Sequence, residues 1–178
     1  MLGFKELELS DRDILNRFFA ACQNQNTECS FTNLFMWRRC YAVRWAVTDS
    51  HLIVEPNAFE ESWILPPYGF EEDDRLFKAA IEHAAEDYRD RHKRLMIRAV
   101  TEKDRERLER LFPGRFEFEE EPDIEDYIYD GEKMRTLAGR KLSKKRNHIN
   151  AFKNEHPDYE LVPLTPYNAD LAWDFVEH

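Results

Sequence analysis

Glycine is scarce in this 178-residue chain, with Gly3, Gly69, Gly114, Gly131 and Gly139 the only five. None of them sits in the Arg-x-x-Gly-x-Gly/Ala turn whose backbone N–H groups, at a helix N-terminus, hold the pyrophosphate of an acyl-CoA. A standard CoA site is therefore not expected, and no other cofactor is called for. Long apolar runs are also missing: nothing approaches the roughly 18–20 residues that span a bilayer. The opening MLGFKELELSDRD has neither the basic start nor the apolar middle of a secretory signal. A cytoplasmic address is expected, with peripheral attachment at the inner membrane surface left open. Cysteine is limited to Cys22, Cys29 and Cys40, an odd number without a close C-x-x-C pair, so neither a zinc pattern nor a disulfide framework is expected. No catalytic constellation is legible. His51, His83, His92, His148 and His156 are scattered, and Ser143 has no base beside it in sequence. Glu119, Glu120, Glu121, Asp123, Glu125 and Asp126 read as a run of solvated carboxylates rather than a ligand set, so no metal is expected.

What the chain does have is charge, and it is segregated. The formal net charge is −10, from 26 Lys+Arg against 36 Asp+Glu. Residues 131–153 nevertheless hold eight basic side chains and one acid, Glu132, a local net of +7. An acidic chain repels nucleic acid and anionic membrane on average, so any such partner must be held by a local patch.

A single pass along the chain gives alternating elements. FKELEL alternates as a half-buried strand, and Ser10 can cap a helix through DRDILNRFFAACQ. Ser30 can cap FTNLFMWRRCYA, and VRWAVTDSHLIVEP reads as two strands joined at residues 48–50. SWILPPYG adds a strand stopped by Pro66 and Pro67, with Tyr68 a candidate for lining a cleft. DDRLFKAAIEHAAEDYRDRHK places Phe77, Ala80, Ile81, Ala84 and Tyr88 on one helical face. RLMIRAV is a short strand, Thr101 opens a helix that Pro113 and Gly114 end, and RFEFEEEPDIEDYIY reads as two strands around Pro122. The strand YELVPLT and the helix PYNADLAWDFVEH close the chain, partly repeating the pattern of LELSDRDILNRFF. The expected fold is α/β, a mixed and mostly antiparallel sheet flanked by helices.

The segment GRKLSKKRNHINAF, residues 139–152, carries the chemistry. Read as one helix, Met134, Leu137, Ala138, Leu142, Ile149 and Phe152 share a face on which Lys141, Lys145 and His148 also fall. An unpaired ammonium amid apolar side chains is disfavoured, and three accounts are open. Gly139 breaks the helix, so that the phase does not carry over; or the lysines snorkel or pair with the carboxylates of 119–126; or they line a cleft for an anion.

The run DYIYDGEKMRTLAGRKLSKKRNHINAF, preceded by SFTNLFMWRR and LPPYG, resembles the soluble family known as DUF2156, which is related to the C-terminal domain of phosphatidylglycerol lysyltransferases. The resemblance covers nearly the whole chain. It implies tandem GNAT-like acyltransferase folds, with residues 1–157 as the first and 158–178 as the opening strand and helix of a second. It further implies aminoacyl transfer from aminoacyl-tRNA to an anionic phospholipid or another phosphate-bearing acceptor. Arg140, Lys141, Lys144, Lys145, Arg146 and His148 are the candidate phosphate-binding residues, and a second GNAT-like half is the expected partner. The alternative is a non-catalytic half with a structural or ligand-binding role.

Overall fold

The structure is a computed structural model that describes residues 2–22, 26–70, 73–122 and 125–177. It divides into two compact units, Met1–Tyr127 and Ile128–His178.

The first unit is organised by one strand. β2 (Arg44–Val47) and β3 (His51–Glu55) form an antiparallel hairpin, closed where Thr48 N donates to His51 O at 2.9 Å. β1 (Lys5–Glu6) and β6 (Tyr68–Gly69) complete an antiparallel sheet of order β1-β2-β3-β6. All five residues of β3 are buried, because helices cover both of its faces. On one face Leu52 and Val54 pack with Leu15, Phe18 and Phe19 of α1 (Arg12–Cys22) and with Phe31 and Leu34 of α2 (Phe31–Trp37). On the other, Ile53 packs with Phe77, Ile81, Ala84 and Tyr88 of α3 (Asp74–Asp90) and Leu108 of α4 (Glu102–Leu111). The alternation of side chains along a strand thus feeds two separate cores. A small hairpin, β4 (Asn57–Ala58) and β5 (Glu61–Ser62), projects from the sheet's end.

The fully buried Glu55 is matched by Arg44, its cross-strand neighbour, and by Arg91 Nη2 at 2.7 Å. Arg91 Nε in turn meets Asp87 Oδ2 at 2.8 Å, and Asp87 Oδ1 accepts from Leu2 N at 2.9 Å. A buried carboxylate is tolerable on such terms, with opposite charge and donors taking the place of water.

Helix α3 begins where its pattern predicted, with Asp73 as N-cap, and α4 is capped by Thr101 and ended by Phe112 and Gly114. Several expectations need correction. The first helix is preceded by a 3-10 turn at Leu9–Asp11; Asp11 is buried and accepts from Glu8 N (3.0 Å), Lys5 Nζ (2.7 Å) and Trp45 Nε1 (3.0 Å), which ties the turn to the sheet without Ser10 as cap. Pro66 and Pro67 do not end the third strand region, since Tyr68 and Gly69 resume pairing with Leu52 and His51. RLMIRAV contributes only a parallel bridge, Ile97 to Ile64. No strand forms in the described part of 115–129 or in 159–165. Strands need a partner's ladder, and six closely spaced carboxylates in 119–126 repel one another rather than pair.

The second unit carries α5 (Gly131–Thr136), α6 (Ser143–Glu155) and α7 (Ala169–Glu177). Of the three accounts open for the basic segment, the structure shows the break at Gly139: Leu137 (φ 50°) and Gly139 (φ 89°) are left-handed, and a 3-10 turn at Arg140–Leu142 leads into α6. Gly139 is the residue type that accepts this conformation without strain.

Candidate functional site

The break at Gly139 resolves the phase problem. Met134, Leu137 and Ala138 lie before it and share no continuous face with Lys145. Lys141 stands in the 3-10 turn, and Lys145 projects from the first turn of α6. No residue of α6 is buried, and Ile149 and Phe152 remain 45% and 49% exposed, so the segment presents an open surface.

The six candidates separate into two roles. Arg146 Nη1 donates to Leu137 O and to Gly139 O (2.8 Å for the latter), pinning the left-handed turn to the helix that follows. Ser143 Oγ donates to Arg140 O at 2.8 Å and tightens the same turn. Arg140, Lys141, Lys144, Lys145 and His148 are exposed, and among the described residues of this unit no carboxylate pairs with them. Arg140 and Lys141 stand in the 3-10 turn and Lys144 and Lys145 in the first turn of α6, so four cations gather at the start of this helix. The first turn of α6 has no acidic residue to complement the helix dipole and two lysines that oppose it. Local helix stability therefore gains from an anion placed here.

The histidines are dispersed, as the sequence suggested. His83, His92, His148 and His156 are exposed, whereas His51 is 1% exposed on β3. Burial, aided by the Arg107 cation, pushes His51 down to about 4, so it is neutral at physiological pH. Its Nδ1 lies 2.8 Å from Ser50 Oγ, and its ring occupies the space a side chain at Gly69 would need, with an added Cβ only 2.4 Å from Nε2. This explains the glycine of LPPYG, which sequence reading assigned only to the end of a strand. A cavity of about 280 Å³, lined by Asp49, Ser50, His51, Phe70 and Leu76, opens beside it. Tyr68 is 2% exposed, and burial raises its phenol well above the ordinary value, making it a core residue rather than a cleft wall. Asp126, one of the acidic run, accepts from Thr27 N and Thr27 Oγ1 at 2.9 Å each and so anchors a loop. Among the described residues no group of three or more His, Cys, Asp or Glu side chains is placed to hold a metal ion.

A family model described as phosphatidylglycerol lysyltransferase, C-terminal, matches residues 19–177. The chain belongs to this family. The lysyltransferase-family chain is also similar to a solved structure, the crystal structure of a conserved protein of unknown function from Bacteroides thetaiotaomicron VPI-5482. That protein is 35% identical, the match covers 99% of this chain and 58% of the other, and the TM-score is 0.90. The lysyltransferase-family chain therefore spans 58% of the length of that protein. No curated protein matches it. Among the described residues no helix is long and apolar enough to cross a membrane.

Proposed function

We propose that this chain is part of an aminoacyltransferase that moves an amino acid from aminoacyl-tRNA to an anionic lipid or similar acceptor, with the basic segment holding a phosphate. The observation that carries the reading is the set Arg140, Lys141, Lys144 and Lys145, exposed and, among the described residues of their unit, without an ion-pair partner, within a chain of this family. Phosphate binding needs clustered cations that exchange counterions for ligand charge. Arg146 acts by fixing the turn, and His148 lies one turn beyond Lys144 on the same helix. The fold in this reading is GNAT-like, with 1–157 the first of two tandem domains and 158–178 the start of a second. The greater length of the Bacteroides protein supports that arrangement, as does the exposure of Leu161 (94%), Leu164 (69%), Leu171 (70%) and Phe175 (85%).

The same exposed residues favour a second reading, in which this chain is a non-catalytic half that docks a second GNAT-like half. Titration of the 178-residue chain with aminoacyl-tRNA at several salt concentrations tests the first reading. Log affinity should fall linearly with log salt, and Lys141→Gln, Lys144→Gln and Lys145→Gln should each reduce the slope by about 1. Equal affinity in the triple variant, or no binding at low salt, would remove the phosphate role.

A further inference from the structure

The tip of the β4–β5 hairpin holds a residue that neither the turn nor the core explains. Phe59 and Glu60 form its two-residue loop, with φ of 53° and 66°. Two successive left-handed residues define the turn type in which Asn-Gly is strongly preferred, and an aromatic side chain is strained there. Phe59 is also 90% exposed, so it recovers nothing by packing.

Close by lies a second exposed apolar group at the end of α2. Met36 is 68% and Trp37 51% exposed. Tyr41 joins the two places: its ring meets Trp37 edge-on at 6.1 Å and Trp63 at 6.2 Å, and its carbonyl accepts from Asn57 N at the base of the hairpin. Arg38 and Arg39 follow Trp37 directly. They belong to residues 29–48, the longest acid-free run within residues 1–127, a unit that otherwise carries 28 acids. Of the two acids at the hairpin, Glu61 is paired with Arg98 at 3.2 Å.

We propose that Met36, Trp37 and Phe59 form a membrane-docking face that inserts into the interface of an anionic lipid bilayer, with the exposed Arg39 at the headgroups, while Arg38 is held by Phe35 O at 2.6 Å. A protruding Phe, a Trp and Tyr with apolar bodies and polar tips, and an adjacent exposed arginine are the chemistry of the bilayer interface. The acid-free run gives the charge complementarity that the rest of this acidic unit lacks. The proposal deepens the lipid-acceptor reading by locating the surface where the acceptor's bilayer is met, and it does not involve the basic segment.

The test is co-sedimentation of the 178-residue chain with vesicles of phosphatidylcholine alone or mixed equally with phosphatidylglycerol. The parent chain should sediment with the mixed vesicles. Phe59→Asn should fold at least as stably, since Asn suits the turn, yet partition about tenfold less, the loss expected from withdrawing a phenyl ring from an apolar medium. Arg39→Glu should weaken binding to the mixed vesicles and leave the neutral ones unaffected. No sedimentation with either vesicle, or Phe59→Asn binding as the parent does, would overturn the docking face. Binding retained in Phe59→Asn but abolished by Lys141→Gln, Lys144→Gln and Lys145→Gln together would overturn this face while leaving the basic segment's proposed role standing.

Discussion

Lowering the pH should destabilise the first unit well above the range where carboxylates titrate, and His51 is the reason. Its ordinary value is 6.5 and its value in the fold is about 4, so between these limits the unfolded chain binds a proton that the native chain refuses. Stability is therefore full above pH 6.5 and is lost as pH falls toward 4, the sign expected when the unfolded state holds more protons. The whole difference is about 3 kcal/mol at 1.36 kcal/mol per unit, and about 2 kcal/mol of it is gone by pH 5. For a chain of this size that corresponds to a fall in Tm of roughly 4–8 °C between pH 7.5 and 5. Glu28 works against the trend, because burial and the neighbouring Asp126 raise it and the native state takes up its proton more readily. Urea unfolding followed by near-ultraviolet circular dichroism reports this unit through the buried Trp45 and Trp63. The decisive comparison is the slope of stability against pH in the parent and in His51→Gln, whose amide cannot titrate. A slope that survives in His51→Gln, or a histidine signal titrating near 6.5 in the folded protein, would refute the assignment.

Other consequences are as direct. Gly69→Ala should cost about 1–3 kcal/mol, the range for overpacked cores, and the cost should shrink in a His51→Ala background; additive effects would contradict the contact. Glu55→Ala leaves Arg44 without its buried counter-charge and Arg91 with Asp87 alone, and denaturant unfolding should show a loss of about 3 kcal/mol. Arg146→Ala should lower the helix signal in circular dichroism by freeing the turn at Leu137–Gly139, whereas Lys145→Ala should not; equal losses would mean that Arg146 has no anchoring part.

Local rules carried the reading of the sequence in some places and failed in others for identifiable reasons. Helix α3 was legible because seventeen residues repeat one apolar face and Asp73 caps it, and the β2–β3 hairpin because both strands lie next to each other in sequence. The strands expected at 115–129 and 159–165 failed because alternation shows what a strand could bury but not whether a ladder awaits it. Tyr68 and Gly69 were missed as a strand because their partner, β3, lies elsewhere in the chain and two prolines intervene. The basic residues of 139–152 were obvious from composition. The division between Arg146, which holds backbone carbonyls, and the free lysines was not, because it depends on the left-handed turn at Leu137 that no pattern announced.

Because β3 supplies side chains to the cores on both of its faces, neither layer of helices can come away while the other keeps its packing. Residues 1–127 should accordingly open in a single concerted event, and amide hydrogens as far apart as those of α1 and α4 should exchange with one common rate in the slowest class. A protease would then find no stable half-open form to trim, and digestion of this unit would leave either the intact unit or small peptides.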